Sequence, residues 1–273
     1  MKIRSARSSS WQPAAMKKTS SGQNNPAQSW QPEEYEKNAG FVADLGLGAL
    51  DLLDPRPGQR VLDLGCGHGK LSEKIAQRGC HVVCVDASPE QVAGASARGL
   101  DARVMDGTNL DFKGEFDAVF TNAALHWMKD ADAVIDGVWK ALVPGGCFAG
   151  EFGGAGNVAR VALAIERALD ARGLDIADYW PWYFPSPDDY AGRLAARGFS
   201  VQHMELFSRP TPIPGDIEGW LDTFCESFYV AVSDDGRRSF IDDIRDDLAA
   251  DLCGPDGIWT VDYVRLRFRA VKP

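Results

Sequence analysis

Between Arg60 and Phe152 the chain alternates short β-branched apolar runs with amphipathic stretches, and turn residues punctuate the changes. "RVLDL" (60–64), "HVVCVD" (81–86), "DARVMD" (101–106), "FDAVFTN" (116–122) and "GCFAGEF" (146–152) read as strands. "GKLSEKIAQRG" reads as a helix closed by Gly79, and "SPEQVAGASARG" as a helix with Ser88 at the N-cap and Pro89 at the first position. "DADAVIDGVWKALVPGG" is a third, with Val134, Val138, Ala141 and Leu142 turned inward. Parallel neighbours need a crossover, so this alternation dictates a mostly parallel sheet with helices on both faces. The expected fold class is α/β, Rossmann-like and doubly wound.

The flanks follow a different rhythm. "EEYEKNAGFVADLGLGALDLL" (33–53) has helical apolar spacing and stops before the Pro/Gly run "DPRPG". After strand five come a helix over "NVARVALAIERALDARG", an aromatic and proline-rich loop "DYWPWYFPSPDDY", and a short helix over "DDYAGRLAARG". "FSVQHMELF" reads as a strand, "RPTPIPG" as an extended linker, and "DIEGWLDTFCESFYVAV" and "DDGRRSFIDDIRDDLAADL" as two helices. The final strand alternates Val264, Leu266, Phe268 and Ala270 with Tyr263, Arg265, Arg267 and Arg269, a pattern for a strand covered on one face.

Function is concentrated in "VLDLGCGHGK" (61–70), where Gly65, Gly67 and Gly69 stand at alternate positions between a strand and a helix. The dinucleotide fingerprint is GxGxxG, and here Lys70 occupies the place of its third glycine. Asp63, two residues before the first glycine, would repel a pyrophosphate at a helix N-terminus and attract a cation. S-adenosylmethionine (SAM) brings an ammonium and a sulfonium and no phosphate. Glycines let the backbone approach its amino-acid part. Asp86 ends strand two, where a carboxylate accepts both ribose hydroxyls. Asp106, with Gly107 beside it, ends strand three, where it accepts from an adenine amino group, and Asn122 ends strand four. These ends share the carboxyl edge, where open α/β sheets bind ligands. Cys66, Ala87 and Ala123 adjoin them and complete the expected cofactor set.

"VLDLGCGHG", "VDAS", "MDGTNL", "NAALHW" and "PGG" resemble the successive motifs of class I SAM-dependent methyltransferases, and the "FPS…GF…RPTP" segment resembles the trans-aconitate methyltransferase-like group. The resemblance implies a seven-stranded sheet whose last strand, "WTVDYVRLRFRAVK", is antiparallel. It also implies that Gly65, Gly67, Asp86, Asp106 and Asn122 line the cofactor. It divides the chain into a tail over 1–29 and one methyltransferase domain over 30–273. That domain has a SAM-binding core over 58–151 and substrate-cap insertions over 152–198 and 207–257. The chain departs from the trans-aconitate group at His126, where those enzymes tend to carry Gln, and at "EFGGAGN".

The expected reaction is methyl transfer to a small molecule, an O-methylation of a small organic acid. C- or N-methylation of a small aromatic or quinone-like metabolite is the alternative, and a SAM-binding protein without chemistry is a further one. His126 is the candidate general base or else a polar wall. Trp127 faces the sulfonium or packs under a helix. Trp180, Trp182, Tyr183 and Phe184 form a lid or pack on the sheet, and Trp127, Trp180, Trp182 and Tyr183 are the expected substrate contacts. Tyr35 closes over the cofactor or belongs to the core. Arg160 and Arg209 pair an acidic acceptor or face solvent.

Net charge of −10 and the lack of a basic stripe disfavour nucleic acid as a partner. No apolar run reaches membrane-span length, so no membrane is expected. Six cysteines without a CxxC pair read as free thiols, with no metal site. A cytoplasmic monomer or homodimer is the expectation. Residues 1–29 carry five basic and no acidic side chains, which reads as a disordered tail or, alternatively, an organelle transit peptide.

Overall fold

Short apolar runs form the strands, and Gly79, Gly99 and Gly198 stand just past the ends of the helices they follow. The computed structural model describes residues 45–273. Helix α1 (Leu47–Leu53) leads into β1 (Arg60–Leu64), α2 (Lys70–Gln77), β2 (His81–Asp86), α3 (Pro89–Ala97), β3 (Asp101–Val104) and β4 (Phe116–Asn122). A 3-10 turn (Leu125–Trp127), α4 (Ala131–Ala141) and β5 (Leu142–Gly153) follow. The second half holds α5 (Ala159–Asp170), α6 (Pro187–Arg197), β6 (Ser200–Pro212), α7 (Ile217–Phe224), α8 (Glu226–Tyr229), α9 (Asp234–Leu252) and β7 (Thr260–Val271). Tyr35, the tail over 1–29 and most of the helix expected over 33–53 lie outside the described residues.

One seven-stranded sheet has the order β3-β2-β1-β4-β5-β7-β6. β1 to β5 run parallel, and β7 lies antiparallel between β5 and β6. The strand order reverses direction between β1 and β4, which opens a crevice at their carboxyl ends. One apolar layer joins the sheet to α4 and α6 through Phe148, Phe152, Tyr190 and Phe268. A second joins it to α1 and α2 through Leu50, Val61, Ile75 and Phe120. A third, separate layer unites α5, α7, α8 and α9 with the first half of β7. That helical cap overhangs the crevice.

Five local expectations change. "RPTP" continues β6 as far as Pro212, paired with Thr260, because β6 is an edge strand where proline leaves no ladder bond unmade. Leu142 begins β5 instead of ending α4, and "DARVMD" is strand only to Val104. The helix expected over 216–232 breaks at Cys225 into α7 and α8. On β7, Tyr263 and Arg265 are buried and Val264 is not, because the cap covers the face that the alternation assigned to solvent.

Candidate active site

Gly65 stands at φ +72°, a conformation that costs a residue with a side chain. A Cβ there would also come within 2.2 Å of the Ala124 Cβ. The backbone of this loop is pinned to β2, since Gly65 and Cys66 N–H both donate to the Val85 carbonyl (2.8 and 3.1 Å). Asp86 at the end of β2 accepts from Gly67 N–H (2.9 Å) and Ser88 N–H (3.0 Å). Ser88 caps α3 as the sequence predicts, accepting from Gln91 N–H. Loop and carboxylate are thus one unit, with the carboxylate's remaining lone pairs left for a diol.

A cavity of about 650 Å³ opens over this edge, within the size range of small-molecule sites. Its end over the glycine loop is lined by Asp63, Gly65, Cys66, Gly67, Asp86, Ala87, Asp106, Gly107, Asn122 and Ala123, the residues expected to hold the cofactor. Gly69 stands back from it as the N-cap of α2, where a Cβ would meet Leu100 and Ala95. Ala123 and Val158 hold left-handed conformations (φ +56° and +49°) and both line the cavity. Such strain costs about 1–3 kcal/mol per residue and tends to gather at functional sites. Here Ala123 N–H donates to the Glu151 carbonyl (2.7 Å) and Val158 N–H to that of Asp262 (3.2 Å).

Asp63 tests the fit of SAM. Its carboxyl is buried, and burial pushes its pKa up to about 7; the Ser72 hydroxyl, donating at 2.5 Å, opposes that rise and nearby Asp86 adds to it. Burial likewise raises the Asp86 carboxyl, against the backbone N–H groups that it accepts from. Two carboxyls whose charge is penalised suit a cationic ligand, which relieves the penalty, and suit a pyrophosphate badly.

Asp86→Ala is expected to weaken SAM binding about 10–100-fold by calorimetry, the scale of hydrogen bonds to a charged group. Unchanged affinity in the folded variant would make Asp86 a loop brace only. The raised Asp63 pKa also fixes a sign for stability. Below about pH 4 the carboxyl is protonated in both the folded and unfolded chain. As pH rises through about 7 the folded state loses the advantage of holding the proton. Melts of the cofactor-free chain from pH 4 to 8 should therefore show a steeper decline in the wild type than in Asp63→Asn; parallel curves would refute the assignment.

The other end is walled by His126, Trp127, Asn157, Val158, Trp182, Phe184, Trp220, Phe224, Tyr263 and Arg265. Trp127 stacks on Phe224 (6.4 Å, 23°) and meets Trp182 edge-on (6.0 Å). Trp182 stacks on Phe184 (5.6 Å, 19°). The aromatic segment is packed and does not stand open as a lid: Trp180 and Trp182 are both buried, and Lys129 Nζ donates to the Trp180 carbonyl. Trp180 stands behind Trp182, edge-on at 5.1 Å, and does not line the cavity. Tyr183 also points away, donating from its hydroxyl to Asp189 (2.9 Å).

Polar groups at this end come mostly from the cap and β7. The Arg265 guanidinium is buried and lies 4.5 Å from the Tyr263 ring centroid. Trp220 Nε1–H donates to the Tyr263 hydroxyl (2.6 Å). Asn157 Oδ1 accepts from Val264 N–H (2.9 Å), which leaves its amide N–H groups as donors. The arginines singled out from sequence are used elsewhere. Arg209 pairs with Glu151 (2.6 Å), and Arg160 lies 3.7 Å from Asp251. Sequence reading passed over Arg265, Tyr263, Trp220, Phe224 and Asn157. The i, i+4 spacing of Trp220 and Phe224 was the one legible signal, since it puts both on one face of α7.

Residues 61–146 match the family model described as a methyltransferase domain. An uncharacterized methyltransferase of Schizosaccharomyces pombe is 37% identical over 261 residues, covering 90% of this chain and 99% of its own length. A trans-aconitate 2-methyltransferase of Rhodococcus jostii is 31% identical over 195 residues, covering 64% and 72%. Among solved structures, a SAM-dependent methyltransferase from Mesorhizobium loti aligns with TM-score 0.52 at 19% identity, over 85% of this chain and 99% of that one. Phosphoethanolamine N-methyltransferase 2 of Haemonchus contortus, solved with SAM, aligns with TM-score 0.53 at 18% identity, over 90% and 60%.

Proposed function

Because the chain belongs to the class I SAM-dependent methyltransferases, we propose that it methylates a carboxylate oxygen of a small organic acid. The observation that carries this reading is the buried Arg265 guanidinium among aromatic walls at the acceptor end of the cavity. A planar guanidinium matches a carboxylate with two parallel N–H donors, and a low-dielectric surround strengthens that pairing. The other polar groups agree, because the Asn157 amide and the Tyr263 hydroxyl are both left with hydrogens to donate. The name of the Rhodococcus relative, which refers to a small organic acid, points the same way.

SAM supplies an electrophilic methyl group on a sulfonium. A carboxylate is already a nucleophile at neutral pH. The new O–C bond forms as the S–C bond breaks, the electron pair stays on sulfur, and no proton moves. The protein's part is therefore to align the acceptor and exclude water. The packed aromatic segment and the helical cap supply walls for both tasks. Those same walls also suit a flat aromatic acceptor, so C- or N-methylation is the second reading.

A methyl-donor assay across small acids, phenols and amines, with detection of S-adenosylhomocysteine, tests the proposal. Turnover of acids with base-labile methyl ester products is expected. Turnover of phenols or amines alone would select the second reading, and labelling only of RNA or protein would refute both.

A further inference from the structure

We propose that His126 is a donor and not a base: its ring is held as the Nε2–H tautomer and gives that hydrogen to an oxygen of the methyl acceptor. The hydrogen-bond geometry carries this. Gly153 N–H donates to His126 Nδ1 at 3.2 Å, in a buried setting. An Nδ1 that accepts is unprotonated, so in the neutral ring the hydrogen resides on Nε2. The ring has little freedom to exchange these roles. His126 O accepts from Tyr183 N–H (2.8 Å), and the ring packs against Trp127 (5.5 Å) and Phe184 (5.9 Å).

Gly153 is what allows this contact. A Cβ on it would lie 2.6 Å from Phe184 and 2.8 Å from the Asn157 amide nitrogen. The strand end therefore approaches the aromatic wall closely enough for its N–H to reach the imidazole. Several charged groups surround the ring. Arg265 on β7, opposite Gly153 in the sheet, acts on it directly, and Lys129 and Asp130 share the cavity wall. Burial, with Arg265 adding to it, pushes the imidazole well below its ordinary pKa, so it stays neutral. A base at this position would have to take a proton on Nε2, which already carries one, beside a guanidinium.

This inference rests on the methyl-transfer reading and adds the role of the residue next to the acceptor. It makes His126 a positioning residue that selects acceptors presenting an oxygen lone pair.

The full chain labelled with 15N tests it directly. Long-range 1H–15N correlation spectra from pH 5.5 to 8, with the His126 signals identified by their loss in His126→Gln, should show a neutral Nε2–H ring throughout. A neutral Nδ1–H ring, or an imidazolium at pH 7, would overturn the proposal. Two variants give a second readout. His126→Asn keeps an oxygen to accept from Gly153 N–H and loses the Nε2 donor; His126→Gln keeps a donor at the Nε2 position. With trans-aconitate as the probe acid and S-adenosylhomocysteine present, calorimetry should show a loss of about 10–100-fold for the Asn variant and of at most about fivefold for the Gln variant. Equal affinity of wild type and His126→Asn would also overturn the proposal. Failure of the wild type to bind any acid would count against the acid acceptor, while the ring tautomer would still decide the role of His126.

Discussion

Replacing Arg265 with methionine is expected to raise the KM for an acid acceptor about 10²–10³-fold while leaving SAM affinity within about threefold. The effect is large because Arg265 is only 6% exposed, so its charge is held where solvent screens it little. Truncating one partner of a desolvated, hydrogen-bonded charge pair costs roughly 2–5 kcal/mol. Methionine keeps most of the aliphatic stem and removes the charge together with the guanidinium's contact with the Tyr263 ring. Lysine should recover part of the loss and no more, since a point charge cannot make the paired contact of a planar fork. The variant carries an internal check. Arg265 contributes to the depressed pKa of His126, so its removal should move the imidazole back toward its ordinary value without reaching it, because burial, the larger cause, remains. Steady-state kinetics with acid and SAM varied separately, together with the histidine spectra, measure both effects. An unchanged KM in a folded variant would remove Arg265 from the acceptor site.

Glu151→Ala should cost about 3 kcal/mol of stability, near the lower end of what breaking a buried ion pair costs. Glu151 is 3% exposed and sits between two guanidiniums. Arg209 reaches its two oxygens at 2.6 and 2.8 Å, and Arg267 donates twice to Oε2 at 2.9 and 2.7 Å. Removing the carboxylate leaves two like charges side by side on β6 and β7 with little solvent. Both guanidiniums keep some exposure, 17% and 21% of their side-chain surface, which is why the larger figures for fully buried pairs do not apply. For a domain of this size the loss corresponds to a fall in Tm of roughly 6–12 °C. α1 should loosen first. Arg209 also reaches the Leu45 carbonyl (3.4 Å), and α1 approaches so closely that a Cβ on Gly48 would meet the Arg267 guanidinium at 2.4 Å. Thermal and urea melts measure the loss; a Tm within about 2 °C of wild type would mean that the trio adds nothing net.

These three arginines show where sequence reading stops. On the page, Arg265 and Arg267 are successive outward members of one alternating strand, and Arg209 is a cation in a proline-rich linker. Period-two alternation assigns a face and cannot tell what covers it. The cap covers β7 only along its first half, so Arg265 is buried at the acceptor end while Arg267 is spent on Glu151. Trp180 and Trp182 pose the same problem. They are identical residues two positions apart, and the packing of α5, α7 and α8 decides that one lines the cavity and the other lies behind it.

What the sequence by itself determined was local in origin. The strands are set by β-branched runs, the start of α3 by Ser88 and Pro89, and the turn after β1 by glycines in conformations that few other residues adopt. Asp63, Asp86, Asp106 and Asn122 were legible for the same reason, since each lies within two residues of the end of its own strand and parallel pairing brings those ends to one edge. The acceptor end is different. His126 and Arg265 are far apart in the chain, and they meet only because β5 and β7 pair in register at Gly153 while the cap folds back over them. Contacts between distant segments depend on the packing of whole layers, and no window of residues encodes that packing. The tertiary structure alone therefore decided which cation lines the cavity and which nitrogen of His126 accepts from Gly153 N–H.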